Sequence, residues 1–141
     1  MVIAIDFDGT CVSHEFPHMG KDIGAVPVLK ALVENGHQLI LWTMRSDREF
    51  LSPSGDDSII DIKGTFLTDA VNWFKENGIP LWGIQRNPTQ INWTTSPKCY
   101  AQLYIDDAAL GCPLKFDPNI SKNSFVDWEK VYELLKASQI L

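Results

Sequence analysis

The chain has 141 residues and a formal net charge of -6. That length suits one domain, and 45% hydrophobic with 11% aromatic residues is enough to fill its core. An acidic balance with no Lys/Arg run disfavours non-specific nucleic-acid binding and attachment to an anionic membrane, and no segment is long enough to span a bilayer.

In chain order, the first element predicted is a buried strand, Val2–Ile5, which ends at Asp6. A helix follows over residues 25–35. Pro27 falls in its first turn, Val26, Leu29, Leu32 and Val33 form an apolar stripe, and Gly36 stops it. The run 39–42 predicts a second strand, ending at Thr43. Residues 46–64 are polar and turn-rich, and read either as a mobile lid or as a solvated surface loop. A second helix is predicted over 65–77, with Phe66, Leu67, Ala70, Val71 and Phe74 inward and Gly78 as its stop. Runs 81–84 and 103–105 predict two further strands, the first followed by Gln85 and Arg86, the second by Asp106 and Asp107. A last helix is expected over 125–138, burying Trp128, Val131, Leu134 and Leu135.

The strand runs are continuously apolar rather than alternating, as in parallel sheets covered on both faces. Strand–helix–strand alternation gives an open α/β sheet with right-handed crossovers, and such sheets bind ligands at the carboxyl ends of their strands. Those ends carry Asp6, Thr43, Gln85 with Arg86, and Asp106 with Asp107. Three of the four thus deliver side chains suited to phosphate or metal chemistry.

The segment Asp6-Phe7-Asp8-Gly9-Thr10 carries the strongest signal. Two carboxylates two residues apart can face one ligand if the chain leaves the extended form, which Gly9 permits. Asp6 could attack phosphorus as a carboxylate nucleophile, and Asp8 could protonate the leaving oxygen and then deprotonate water. An Asx turn with two solvated aspartates is the plain alternative; a calcium loop would need more oxygen ligands than Thr10-Cys11-Val12 supply. Asp106 could complete an oxygen-rich Mg2+ site with Asp6 and the Asp8 carbonyl, while Asp107 holds a bound water or orients a neighbour. Thr43 could hydrogen-bond a phosphoryl oxygen, and Lys98 could neutralise developing charge.

In that order, Asp6-Phe7-Asp8-Gly9-Thr10, Thr43, Lys98 and Asp106-Asp107 resemble the four motifs of the haloacid-dehalogenase-like (HAD) phosphohydrolase superfamily. The resemblance covers the chain from Val2 to about Gly111. It implies a single domain over 1–141, with a Rossmann-like three-layer α/β fold, a mainly parallel sheet and no separate cap domain. It further implies a Mg2+ ion held by Asp6, Asp8, Asp106 and Asp107. Asp6 would be the nucleophile, Asp8 the acid/base group, and Thr43 and Lys98 the groups that bind and activate the phosphoryl group; Lys75 is an alternative to Lys98. The intervals 11–26 and 44–97 leave no room for a cap, so an oligomer, the 46–64 loop or a large substrate would have to close the site.

Arg45 and Arg48 could grip a second phosphate or a carboxylate, Arg45 being the nearer, and Arg86 is a similar candidate. His14 and His18 read as leaving-group contacts or plain loop histidines; the five tryptophans read as packing residues. The three cysteines, odd in number and without CxxC spacing, argue against a disulfide framework or a structural zinc site and for a reducing cytoplasm. The expected function is Mg2+-dependent hydrolysis of a phosphate monoester on a small metabolite or a macromolecule. A phosphotransferase or mutase, a phosphoryl-accepting receiver-like domain and a non-catalytic metal-binding module are the alternatives.

Overall fold

The computed structural model describes residues 1–48 and 63–141. Four strands build a wholly parallel sheet: β1 (Val2–Ile5), β2 (Gln38–Leu41), β5 (Gly83–Ile84) and β6 (Leu103–Ile105), in the order β5-β2-β1-β6. β3 (Asp47–Arg48) pairs with β4 (Gly64–Thr65), and β7 (Leu114–Lys115) with β8 (Phe125–Val126), both antiparallel. Helix α1 (Ala25–Glu34) carries the chain from β1 to β2, and α2 (Phe66–Glu76) leads towards β5. The return from β5 to β6 contains a single 3-10 turn, Gln90–Asn92. Helix α3 (Trp128–Ala137) closes the chain against α1. The result is a Rossmann-like α/β fold.

The two central strands explain the core. Ile3, Ile5, Leu39 and Leu41 join Phe7, Leu29, Leu32, Phe74 and Trp128 in one buried cluster. At the sheet's edges the sequence expectation of strands buried on both faces fails, because a four-stranded sheet has two open margins. Ile84 of β5 is 41% exposed and Tyr104 of β6 is 38% exposed. The run 81–84 is regular only over its last two residues, although Trp82 N–H still donates to Leu39 O (2.8 Å). Gly83 leaves no room for a Cβ against Arg86 O and Pro88.

Helices α1 and α2 lie within a residue of their expected bounds and both end in a left-handed glycine, Gly36 (φ 84°) and Gly78 (φ 67°). On α1 the buried stripe runs through Ala25, Val28, Leu29 and Leu32, with Val26 and Val33 half-buried. The last helix begins later than expected. Phe125 and Val126 belong to β8, pairing with Lys115 and Leu114, and Asp127 caps α3 by accepting Lys130 N–H (3.2 Å). Leu134 points outward, 53% exposed, rather than into the core. Among the described residues no helix is long and apolar enough to cross a membrane. All three cysteines are free. Residues 49–62, most of the stretch read as a lid or a surface loop, lie outside the described residues.

Candidate active site

From β1 the chain passes to β2 and β5 on one side, then returns to β6 on the other, so the order of the sheet reverses between β1 and β6. A crevice opens at the carboxyl ends of strands at such a switch point. One ladder bond beyond the strands, Asp6 N–H to Ile105 O (3.0 Å), sets Asp6 beside Asp106 and Asp107. One carboxylate oxygen from each of the three lies within 4.8 Å of the others, all three side chains being half-buried.

The turn after β1 is tightly built. Thr10, Cys11 and Val12 N–H all donate to Phe7 O (3.1, 2.8 and 3.3 Å), and Gly9 N–H donates to Val12 O (2.8 Å). Gly9 has φ 82°, and a Cβ there would collide with the Asp107 carboxylate. Thr10 is fully buried and links both halves of the site. Its hydroxyl donates to Asp6 Oδ2 (2.8 Å) and accepts Asp107 N–H (3.0 Å), while its carbonyl accepts Trp128 Nε1–H (2.7 Å).

Electrostatically the cluster is under load. Burial pushes the Asp6 carboxyl from 3.8 up to about 7, against hydrogen bonds from Thr10 and the Phe7 amide and with help from the Asp106 and Asp107 charges. Asp107 is raised too, first by burial and then by Asp106. An oxygen-only donor set in which burial and mutual repulsion disfavour ionisation fits a hard divalent cation, whose charge would offset both. Asp6, Asp106 and Asp107 are the side chains that would hold it. The Asp8 carboxylate is turned elsewhere, which leaves its backbone carbonyl as the ligand implied by the resemblance.

Asp8 is instead gripped by Arg45. The guanidinium donates to both carboxylate oxygens (Nε to Oδ2 and Nη2 to Oδ1, each 2.7 Å), to His18 O (3.0 Å) and to Phe66 O (3.3 Å). Its Cζ lies 5.1 Å from the Phe7 ring centroid and 5.3 Å from that of Phe16. At 2% exposure, Arg45 clamps a carboxylate of its own chain, although it also lines the cleft. Thr43 does face the cleft, with its hydroxyl accepting Arg45 N–H (3.1 Å). Its backbone is clasped by the Gln85 amide, whose Oε1 accepts Thr43 N–H (2.9 Å) and whose Nε2 donates to Thr43 O (2.6 Å) and Arg45 O (3.0 Å). Gln85 adopts φ 59° to do this, a backbone form costly for a residue with a side chain.

The cleft, of about 480 Å³, is lined by Asp6, Asp8, Asp106, Asp107, Thr43 and Arg45, together with His14, Phe16, Met44 and Ala108. Lys98 is not among them. It is exposed, its Nζ lies 6.0 Å from the Tyr104 ring centroid, and its backbone belongs to the loop that precedes β6. Lys75, exposed on α2, does not line the cleft either. Arg86 lines a separate depression with Asn87 and Thr94. Arg48 is half-buried on β3, and His18 contributes only its carbonyl to Arg45. Phe16, Met44 and Ala108 line the cleft without having been singled out in the sequence, and Thr10, Gln85 and Trp128 hold the site together in ways that their places in the motif, at a strand end and in the core did not reveal. For Thr10 the signal was present, as the last residue of the aspartate motif.

Fold and site together define an α/β protein with a carboxylate centre at its topological switch point. No protein-family model matches the chain, nor does any curated protein. Among solved structures, a conserved protein from Bacteroides thetaiotaomicron is 30% identical, with a TM-score of 0.70; the match covers 98% of this chain and 91% of that one. The chain belongs to the same family as that conserved protein.

Proposed function

We propose that this chain is a phosphate-monoester hydrolase that depends on Mg2+ and works through an aspartyl-phosphate on Asp6. The observation that carries the reading is the meeting of Asp6, Asp106 and Asp107, within 4.8 Å, at the switch point of a parallel sheet. The resemblance of these segments to HAD motifs supports it. A bound Mg2+ would neutralise the carboxylates and the phosphoryl oxygens, lowering the charge barrier to attack.

The chain's own residues then divide the work. Asp6, oriented by the Thr10 hydroxyl, attacks phosphorus through a carboxylate oxygen, and the bond from phosphorus to the leaving oxygen breaks. Thr43 offers a hydroxyl at the cleft wall for a phosphoryl oxygen. Asp8 gives the leaving oxygen a proton, and later takes one from the water that attacks the phosphorus of the intermediate and frees Asp6. Protonating Asp8 costs one of its bonds to Arg45. The guanidinium keeps its place meanwhile through His18 O and Phe66 O. Arg45 therefore aims the acid/base group.

The test is a phosphate-ester panel assayed with and without Mg2+, followed by trapping of the phospho-enzyme. Asp8→Asn should accumulate phosphate on Asp6 with a good leaving group, and Asp6→Asn should accumulate none. Full activity in chelator, or a phosphorylated residue other than Asp6, overturns the mechanism. The absence of any phospho-enzyme and any turnover would favour the metal-binding module instead.

A further inference from the structure

The walls of the same cleft carry information about the substrate beyond its phosphate, an inference that rests on the phosphatase reading. Among the described residues that line the cleft, Arg45 is the only Lys or Arg, and its guanidinium is committed to Asp8, His18 O and Phe66 O. Four carboxylates line the same space. With a divalent cation present and Asp8 carrying the proton it donates, the formal charges of the wall cancel, which leaves no cationic surplus for an anion beyond the phosphate itself. Lys98, the one basic residue expected at the phosphoryl group, lies over Tyr104.

The rest of the wall is Thr43, the exposed His14 beside the carboxylates, and an apolar part made by Phe16, Met44 and Ala108. Met44 follows Thr43 directly and is 97% exposed, Phe16 lines the cleft on the aromatic face already braced by Phe66 (ring centroids 5.2 Å apart), and Ala108 is exposed just past Asp107. An almost bare methionine beside the phosphoryl-binding threonine is apolar surface that a ligand can cover with gain. We infer that the substrate is a monophosphate whose leaving group is uncharged and presents an apolar face to Phe16 and Met44. A second anionic group on that side finds no Lys or Arg free to receive it among the described lining residues, and is disfavoured.

Binding can be read without turnover by using phosphonates, whose carbon–phosphorus bond is not hydrolysed. The full chain with Mg2+ is titrated calorimetrically with phenylphosphonate and with 4-carboxyphenylphosphonate. The uncharged ring should bind at least about tenfold more tightly, with a gap that shrinks as salt is raised. Met44→Lys and, separately, Ala108→Lys, both at exposed positions, should narrow the gap to about threefold or less. Equal binding of the two compounds, or preference for the carboxylated one, overturns the inference and leaves the phosphatase reading standing. A gap that neither lysine variant narrows also overturns it. Binding of neither phosphonate also overturns the inference, while the phosphatase reading is decided separately by the phosphate-ester panel and the phospho-enzyme trap.

Discussion

Asp6→Asn should make the metal-free protein more stable while abolishing turnover, and the gain should depend on pH. In the folded chain Asp6 titrates at about 7 rather than 3.8 because it is buried near two other carboxylates. The folded state then binds the proton more tightly than the unfolded chain. The stability linked to that proton is fully present below about pH 4 and is lost as the pH rises towards and through 7. The shift corresponds to a penalty of up to about 4 kcal/mol at pH 8, about 3 at pH 6 and under about 1 at pH 4. Water reaching the half-buried carboxylate reduces this, so a gain of roughly 2–4 kcal/mol at pH 8 is expected. Asparagine keeps an oxygen for the Thr10 hydroxyl and carries no charge, so it escapes the penalty. Urea denaturation in chelator at pH 4, 6 and 8 measures the difference between the two proteins. Saturating Mg2+ should erase the gain, because the cation stabilises only the wild-type cluster. A variant no more stable than wild type at pH 8 in chelator, or one equally stabilised at pH 4 and pH 8, would refute the reasoning.

Other substitutions probe the remaining parts of the site. Thr10→Val removes the donor to Asp6 and strands the Asp107 amide, so it should cost about 1–3 kcal/mol by denaturation and lower kcat/KM. Arg45→Met leaves the Asp8 carboxylate, 12% exposed, without its clamp; a loss of about 3 kcal/mol is expected, and Asp8→Asn in the same chain should recover part of it in a double-mutant cycle. Lys98→Ala should keep kcat/KM within about threefold, as follows from its position over Tyr104; a hundredfold loss would place its ammonium on the phosphoryl group. Gly9→Ala drives a methyl group into the Asp107 carboxylate, so the Mg2+ concentration for half-maximal activity should rise at least about tenfold.

What could be read from the sequence was whatever depends on a few neighbouring residues. Val2–Ile5 and Leu103–Ile105 are continuous apolar runs and form strands with those bounds. The residue after each run lies at a carboxyl end by construction, which is why Asp6, Asp106 and Asp107 could be brought together before any coordinates. Pairing across long stretches of chain was not legible. Asp8 and Arg45 are 37 residues apart, and nothing local distinguishes an arginine that clamps a carboxylate from one that waits for a phosphate. The start of α3 was misplaced for a similar reason. Phe125 and Val126 fit a helical stripe, and only their partners at Leu114 and Lys115 make them a strand. Asp127 was the available sign, a good N-cap residue just before Trp128.

The two carbonyls of the aspartate turn have a further consequence. Gly9 O accepts Val126 N–H (2.9 Å) and Thr10 O accepts Trp128 Nε1–H, so segments almost 120 residues downstream hold the turn in shape. Contacts that distant in sequence form late in folding. During synthesis β1 emerges before β6 and α3, so its carboxylates have no neighbours from β6 and no lock from α3 until those segments follow. The growing chain is therefore spared the charge crowding of the completed centre. A fragment ending before Val126 keeps Asp6, Asp106 and Asp107 but loses both locks on the turn, so it should bind a divalent cation more weakly than a chain that includes α3.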